Sequence, residues 1–259
     1  MRGIDVSKHQ GIIDLGKVEQ SGVKFVIIQA GYGKNNVDQY FKRNIEGAIK
    51  AGLKVGVYWF IYALNEDDAI KNAEKFHQTI EPYKEHITMK VIADWEYDSD
   101  DYSIKKGVAQ TNSSRTRIVR TFLNYLKYKG WDVANYANPD YIKNKFEDLS
   151  QYPLWLAYYT DNEKNTEKYN PWMWQYSSKG KVPGVKGNCD MNICFEEVKI
   201  EYYPIPEFTL LDHLEKIGVD SSFDSRKKIA TTNGIANYKG TAEQNLKMLE
   251  LLKVGKLMK

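Results

Sequence analysis

Cysteine, histidine and long apolar runs are all scarce in this chain. Cys189 and Cys194 are its only cysteines, five positions apart in a stretch that reads as extended, so they face opposite ways and no disulfide scaffold is expected. His9, His77, His86 and His213 are scattered without the spacing of a zinc helix. Asp98-x-Asp100 lacks the glycine and terminal glutamate of a calcium loop, so no metal is expected. No run of about 18 apolar residues occurs, which excludes a membrane-spanning helix and membrane insertion. Met1-Arg2-Gly3-Ile4-Asp5-Val6-Ser7 lacks the apolar core of a signal peptide, and synthesis in the cytoplasm is the expectation.

An excess of one charge is missing too. Lys plus Arg number 37 against 34 Asp plus Glu, a net +3, with no basic block to neutralise a nucleic-acid backbone. No Gly-x-Ser-x-Gly elbow exists, and neither cysteine has a partner histidine in a nucleophile context. Gly31-Tyr32-Gly33 lacks the third glycine of a dinucleotide fingerprint and reads as a tight turn, so no cofactor is expected.

What the chain does have is 42% apolar and 13% aromatic residues, enough to fold, over 259 residues, more than one small module. Short β-branched and aromatic runs alternate with helical periodicity up to about residue 195, which implies a parallel sheet. The runs are Gly3–Val6, Phe25–Ala30, Val55–Tyr62, Met89–Glu96, Val133–Ala137, Leu154–Tyr158, Met173–Tyr176 and Cys189–Ile193. Helical stretches are Leu15–Ser21, Gln39–Ala51, Glu66–Ile80, Ser113–Tyr128 and Pro139–Phe146. Eight strands with about five helices predict an α/β fold, an irregular β/α (TIM-like) barrel over residues 1–200, with its chemistry at the strand C-terminal ends. Residues 201–206, with two prolines, read as a linker, and 207–259 as a small all-α domain. Its apolar positions are Leu210, Leu211, Leu214, Ile217, Leu246, Leu249, Leu252 and Leu257.

The strongest local signal is Val91-Ile92-Ala93-Asp94-Trp95-Glu96, an apolar strand ending in carboxylates spaced i, i+2 that must face one side. At about 6 Å, repulsion between them is worth roughly 2–3 kcal/mol, about two pK units, so one should stay protonated near neutrality. A solvated strand end is the bland alternative, since Asp98, Asp100 and Asp101 follow and read equally well as a loop. Asp5 and Asp190 change the balance: they sit at ends of the first and last strands, neighbours once a barrel closes, so four acids converge on one mouth. Aromatics crowd the same strand ends, and Tyr32, Tyr58, Trp59, Tyr62, Tyr136, Trp155 and Trp174 are the candidate platforms for sugar rings.

Gly3-Ile4-Asp5-Val6-Ser7, Phe25-Val26-Ile27-Ile28, Gly56-Val57-Tyr58, Ala93-Asp94-Trp95-Glu96, Pro153-Leu154-Trp155-Leu156-Ala157, Trp174-Gln175-Tyr176 and Asp190-x-Asn192, in that order, resemble glycoside hydrolase family 25, the Chalaropsis-type lysozymes of phage endolysins and bacterial autolysins. The resemblance implies cleavage of the β-1,4 bond between N-acetylmuramic acid and N-acetylglucosamine in peptidoglycan. It implies Glu96 as general acid, Asp94 as the group facing developing positive charge, and Asp5 and Asp190 as positioning groups. Whether Asp94 is a nucleophile or orients the substrate's acetamido group stays open. Two positions depart from the pattern: Gln29 stands where a basic residue is common, and Trp59 where a Tyr-His-Phe strand is common.

The tail is similar to helical C-terminal segments of Gram-positive wall hydrolases, which implies wall anchoring, against a domain that only steadies the barrel or dimerises. A phage endolysin made without a signal peptide and released onto the wall is the expectation, with a host autolysin as alternative. The competing classes are a catalytically silent sugar-binding barrel and a metal-dependent hydrolase.

Overall fold

The apolar runs do form strands, and the direction of one of them decides where the acids go. A computed structural model describes residues 1–195 and 210–259; the expected linker at 201–206 lies outside the described residues. The chain divides into two units, Met1–Glu196 and Glu197–Lys259.

In the first unit, β1 (Arg2–Val6), β2 (Phe25–Tyr32), β4 (Lys54–Phe60), β5 (Val91–Asp94), β6 (Val133–Ala137), β7 (Leu154–Ala157), β8 (Met173–Gly180) and β9 (Cys189–Cys194) form one sheet that closes through β1–β2 pairing. The two-residue β3 (Asn36–Val37) hangs from β2 as a hairpin whose turn includes Gly33 at φ 61°. A fully parallel sheet is not what results. β9 runs antiparallel to both β8 and β1, because residues 181–188 are too few to carry a crossover helix. The beginning of β9 therefore shares a rim with the C-terminal ends of the other strands. Asp190, its second residue, is register partner of Asp5.

Alternation across the strands sorts the side chains. Phe25, Ile27, Ile92, Ala134 and Met173 fill the barrel, while Val26, Ile28, Val57, Ala93 and Val133 pack outward. Helices α1 (Leu15–Gln20), α2 (Phe41–Ala51), α3 (Glu66–Ile80), α4 (Tyr97–Lys105) and α5 (Asn112–Tyr128) supply the outer layer. Asn65 caps α3 by accepting from the Asp68 amide, and Ala69, Ala73, Phe76 and Ile80 form its buried stripe. One expectation fails here. The helix expected at Pro139–Phe146 shrinks to one π-helical turn, Tyr141–Lys145. Asp98, Asp100 and Asp101, for which a loop was the alternative reading, lie in α4, where negative charge suits the helix N-terminus. Asp100 is further held by Arg115 Nε at 2.9 Å and accepts from Tyr141 at 2.7 Å.

Cys189 and Cys194 form no disulfide and are buried in different clusters, as their spacing implies.

The second unit has α6 (Leu210–Lys216), α7 (Phe223–Thr232) and α8 (Ala242–Lys253) around Leu210, Leu214, Ile229, Tyr238, Met248, Leu252 and Leu257. Leu211 and Leu246, expected on the apolar stripe, are exposed; Met248 and Tyr238 take up the core instead. Among the described residues no helix is long and apolar enough to cross a membrane.

Candidate active site

Asp94 ends β5 and Glu96 sits at the N-cap of α4, with Trp95 between them turned outward into the helical layer. That indole is fully buried and donates to Asp100 Oδ1 at 3.3 Å, an anchor that leaves both flanking acids facing inward. Asp5, Asp94, Glu96 and Asp190 all line one cavity of about 420 Å³ at the rim. The four sequence candidates are thus brought together.

Asp5 is fixed most tightly. Its Oδ2 accepts from Asn192 Nδ2 at 2.7 Å and from Gln175 Nε2 at 3.0 Å. Gln175 Oε1 in turn accepts from Tyr136 at 3.1 Å and Tyr159 at 3.0 Å, so its amide can turn only one way. Asn192 Oδ1 accepts from Trp155 Nε1 at 2.8 Å. The aromatic wall and the acid are therefore one hydrogen-bonded network.

All four carboxyls are held above their ordinary range. Burial pushes Asp5 up to about 8, with Asp190 adding repulsion and the two amides opposing it. Burial raises Asp94 well above the usual value, and Glu96 adds to it. Glu96 rises to about 7, from burial first and Asp98 second, against a lowering hydrogen bond with Asp94. Asp190 also rises through burial. Mutual repulsion, the cause expected from spacing alone, is thus subordinate to desolvation. Asp94 and Glu96 share a hydrogen bond, while Asp94 Oδ1 has no partner in the protein. Among the described residues no three ligating side chains are arranged to hold a metal ion.

The aromatic candidates divide. Tyr58, Tyr136 and Trp155 line the cavity. Trp59 does not: alternation along β4 turns Tyr58 and Phe60 inward and Trp59 outward, where it packs on Phe76 and donates to the Gly33 carbonyl at 2.9 Å. Its departure from the pattern therefore does not touch the site wall, whereas Gln29 does line the cavity. Tyr32 and Tyr62 pair edge to face with centroids 6.0 Å apart, outside the residues lining the cavity. Trp174 lines a neighbouring cavity of about 760 Å³ that shares Tyr159 with the first. Ser7, His9, Gln10, Phe60, Tyr159 and Gln175 also line the site and were not sequence candidates. Gln175 and Asn192 carried a signal: uncharged polar residues inside otherwise apolar strands, which need partners once buried.

Comparison with known proteins points to one family. The profile of glycosyl hydrolases family 25 matches residues 4–185. The chain is 32% identical over 193 residues to an autolytic lysozyme of Clostridium acetobutylicum, covering 74% of this chain and 55% of that one. It therefore spans about half the length of that relative. A family 25 glycosyl hydrolase structure from Bacillus anthracis superposes with a TM-score of 0.64 at 26% identity, covering 77% of this chain and 90% of that one. A match of 47 residues, 18% of this chain, is 53% identical to an L-alanyl-D-glutamate peptidase of Listeria phage A118 and covers 17% of it. With its profile spanning most of the barrel, the chain belongs to glycosyl hydrolases family 25.

Proposed function

We propose that this protein is an N-acetylmuramidase, hydrolysing the β-1,4 bond between N-acetylmuramic acid and N-acetylglucosamine of peptidoglycan. The observation that carries this is the hydrogen-bonded pair Asp94 and Glu96, set with Asp5 and Asp190 in a cavity walled by Tyr58, Tyr136 and Trp155. Glu96, held protonated to about pH 7, gives its proton to the leaving oxygen as the glycosidic C–O bond breaks. Asp94 faces the positive charge that develops at the anomeric carbon. Asp5 and Asp190 position both. Water then adds at that carbon and returns a proton to Glu96.

The name of the Clostridium relative supports a lysozyme activity. Mass spectrometry of digested Gram-positive wall tests the bond: new reducing-end muramic acid is expected, and reducing-end glucosamine would replace the assignment with a glucosaminidase.

The tail is read as a wall-binding module. A 47-residue stretch shared with a phage peptidase, a protein named for a different chemistry, supports a part of the chain that serves something other than cleavage. Release as a phage endolysin fits that likeness, with synthesis in the host cytoplasm. A homo-oligomer formed through the tail would double its contacts with the wall, and sedimentation of the full chain tests that arrangement.

A further inference from the structure

The largest opening in the barrel unit with a buried unpaired polar group is not the acid-lined one. A cavity of about 910 Å³ lies where Lys90 precedes β5 and where Pro153 and Trp172 precede β7 and β8, at strand ends opposite those bearing the acids. It shares no lining residue with the acid-lined cavity. It exists because the helix layer is incomplete there. The chain crosses from β6 to β7 with one π-helical turn and from β7 to β8 with the 3-10 turn Glu163–Tyr169.

Asn135 stands on that outer face with Val133 and Ala137. It is 3% exposed, lines the cavity, and its side-chain amide makes no hydrogen bond within the protein, Oδ1 being fully enclosed and unpaired. A buried amide without partners is costly unless something outside the chain supplies them. Four rings, Phe146, Tyr152, Tyr169 and Trp172, share the wall with Ile142, Leu149, Leu154 and polar residues. The cavity's one lysine, Lys90, is spent on Asp132 at 2.6 Å and lies over the Trp172 ring at 5.4 Å, while Glu147 and Asp148 add negative charge. An anionic ligand is therefore disfavoured. Flat rings beside a primary amide, which both donates and accepts, suit a pyranose: its apolar face on a ring and its hydroxyl or acetamido group on the amide.

We propose that this cavity is a second, non-catalytic site for a neutral glycan, one or two β-1,4-linked N-acetylhexosamine units, on the end of the barrel opposite the acids. The identity of the sugar rests on the peptidoglycan reading; the cavity and its unpaired amide do not. Two contacts on one polymer would hold the enzyme on its wall between cuts, with the second contact made at high effective concentration.

The test uses the full chain carrying Glu96→Gln, titrated with the tetrasaccharide of β-1,4-linked N-acetylglucosamine and followed by nitrogen-15 NMR. The Asn135 side-chain amide is identified by its loss in Asn135→Leu, and the Trp155 indole by its loss in Trp155→Phe. The expected result is saturable shifts of both signals with separate half-points, and loss of the Asn135 shift alone when Ser150→Trp plugs the rim. An unmoved Asn135 signal, or a shift that survives Ser150→Trp, overturns the second site. Movement of Asn135 with a silent Trp155 would keep the second site and remove support from the catalytic reading, so the two fail separately.

Discussion

Asp5 and Asp190 are register partners across the seam between β1 and β9. Like charges placed directly opposite on neighbouring strands destabilise a sheet. This seam holds because Asp5 keeps its proton to about pH 8 and is satisfied by the amides of Asn192 and Gln175.

Replacing Glu96 with glutamine removes the proposed proton donor while keeping its shape. Clearing of Gram-positive cells should fall by about 10²–10⁴-fold with the melting profile intact. Turbidity loss equal to that of the native protein would take Glu96 out of the mechanism.

The same proton sets the pH profile. A donor titrating at about 7 is loaded below that value and empty above it, so turnover of soluble wall fragments should decline as pH rises through about 7. Rates that stay level up to about two pH units beyond would show that another group supplies the proton.

Stability should carry an imprint of Asp5 in the same direction. Its folded value, about 8, exceeds the unfolded one, so the folded state binds the proton more tightly. Stability from this group is complete below about pH 4 and drains away as pH rises through about 8. Asp5→Asn, which cannot ionise, should flatten the fall of melting temperature across that window. A variant whose melting temperature tracks the native slope would place the proton elsewhere.

Removing residues 205–259 should weaken sedimentation with isolated walls and leave hydrolysis of soluble fragments in place, with circular dichroism verifying that the barrel remains folded. Undiminished sedimentation would assign wall affinity to the barrel alone.

The strand positions were readable because β-branched runs are short and bounded, and the i, i+2 acids because strand geometry has no freedom about which side they share. Two things were not readable. Trp59 and Tyr58 are equally aromatic neighbours, and only the packing of alternate β4 residues into opposite clusters shows which faces the acids. The order of causes behind the raised acids was also hidden, because spacing along one strand measures repulsion but not how much water the surrounding strands exclude. α4 was missed for a local reason: Tyr97-Asp98-Ser99-Asp100-Asp101 looks solvated until Arg115 and Tyr141, distant in sequence, engage Asp100.

The seam has a temporal corollary. Asn192 and Asp5 meet across 187 positions of chain, so the first strand of the barrel must wait, unpaired on one edge, for nearly the last. During synthesis the acid-bearing rim would stay incomplete until β9 leaves the ribosome.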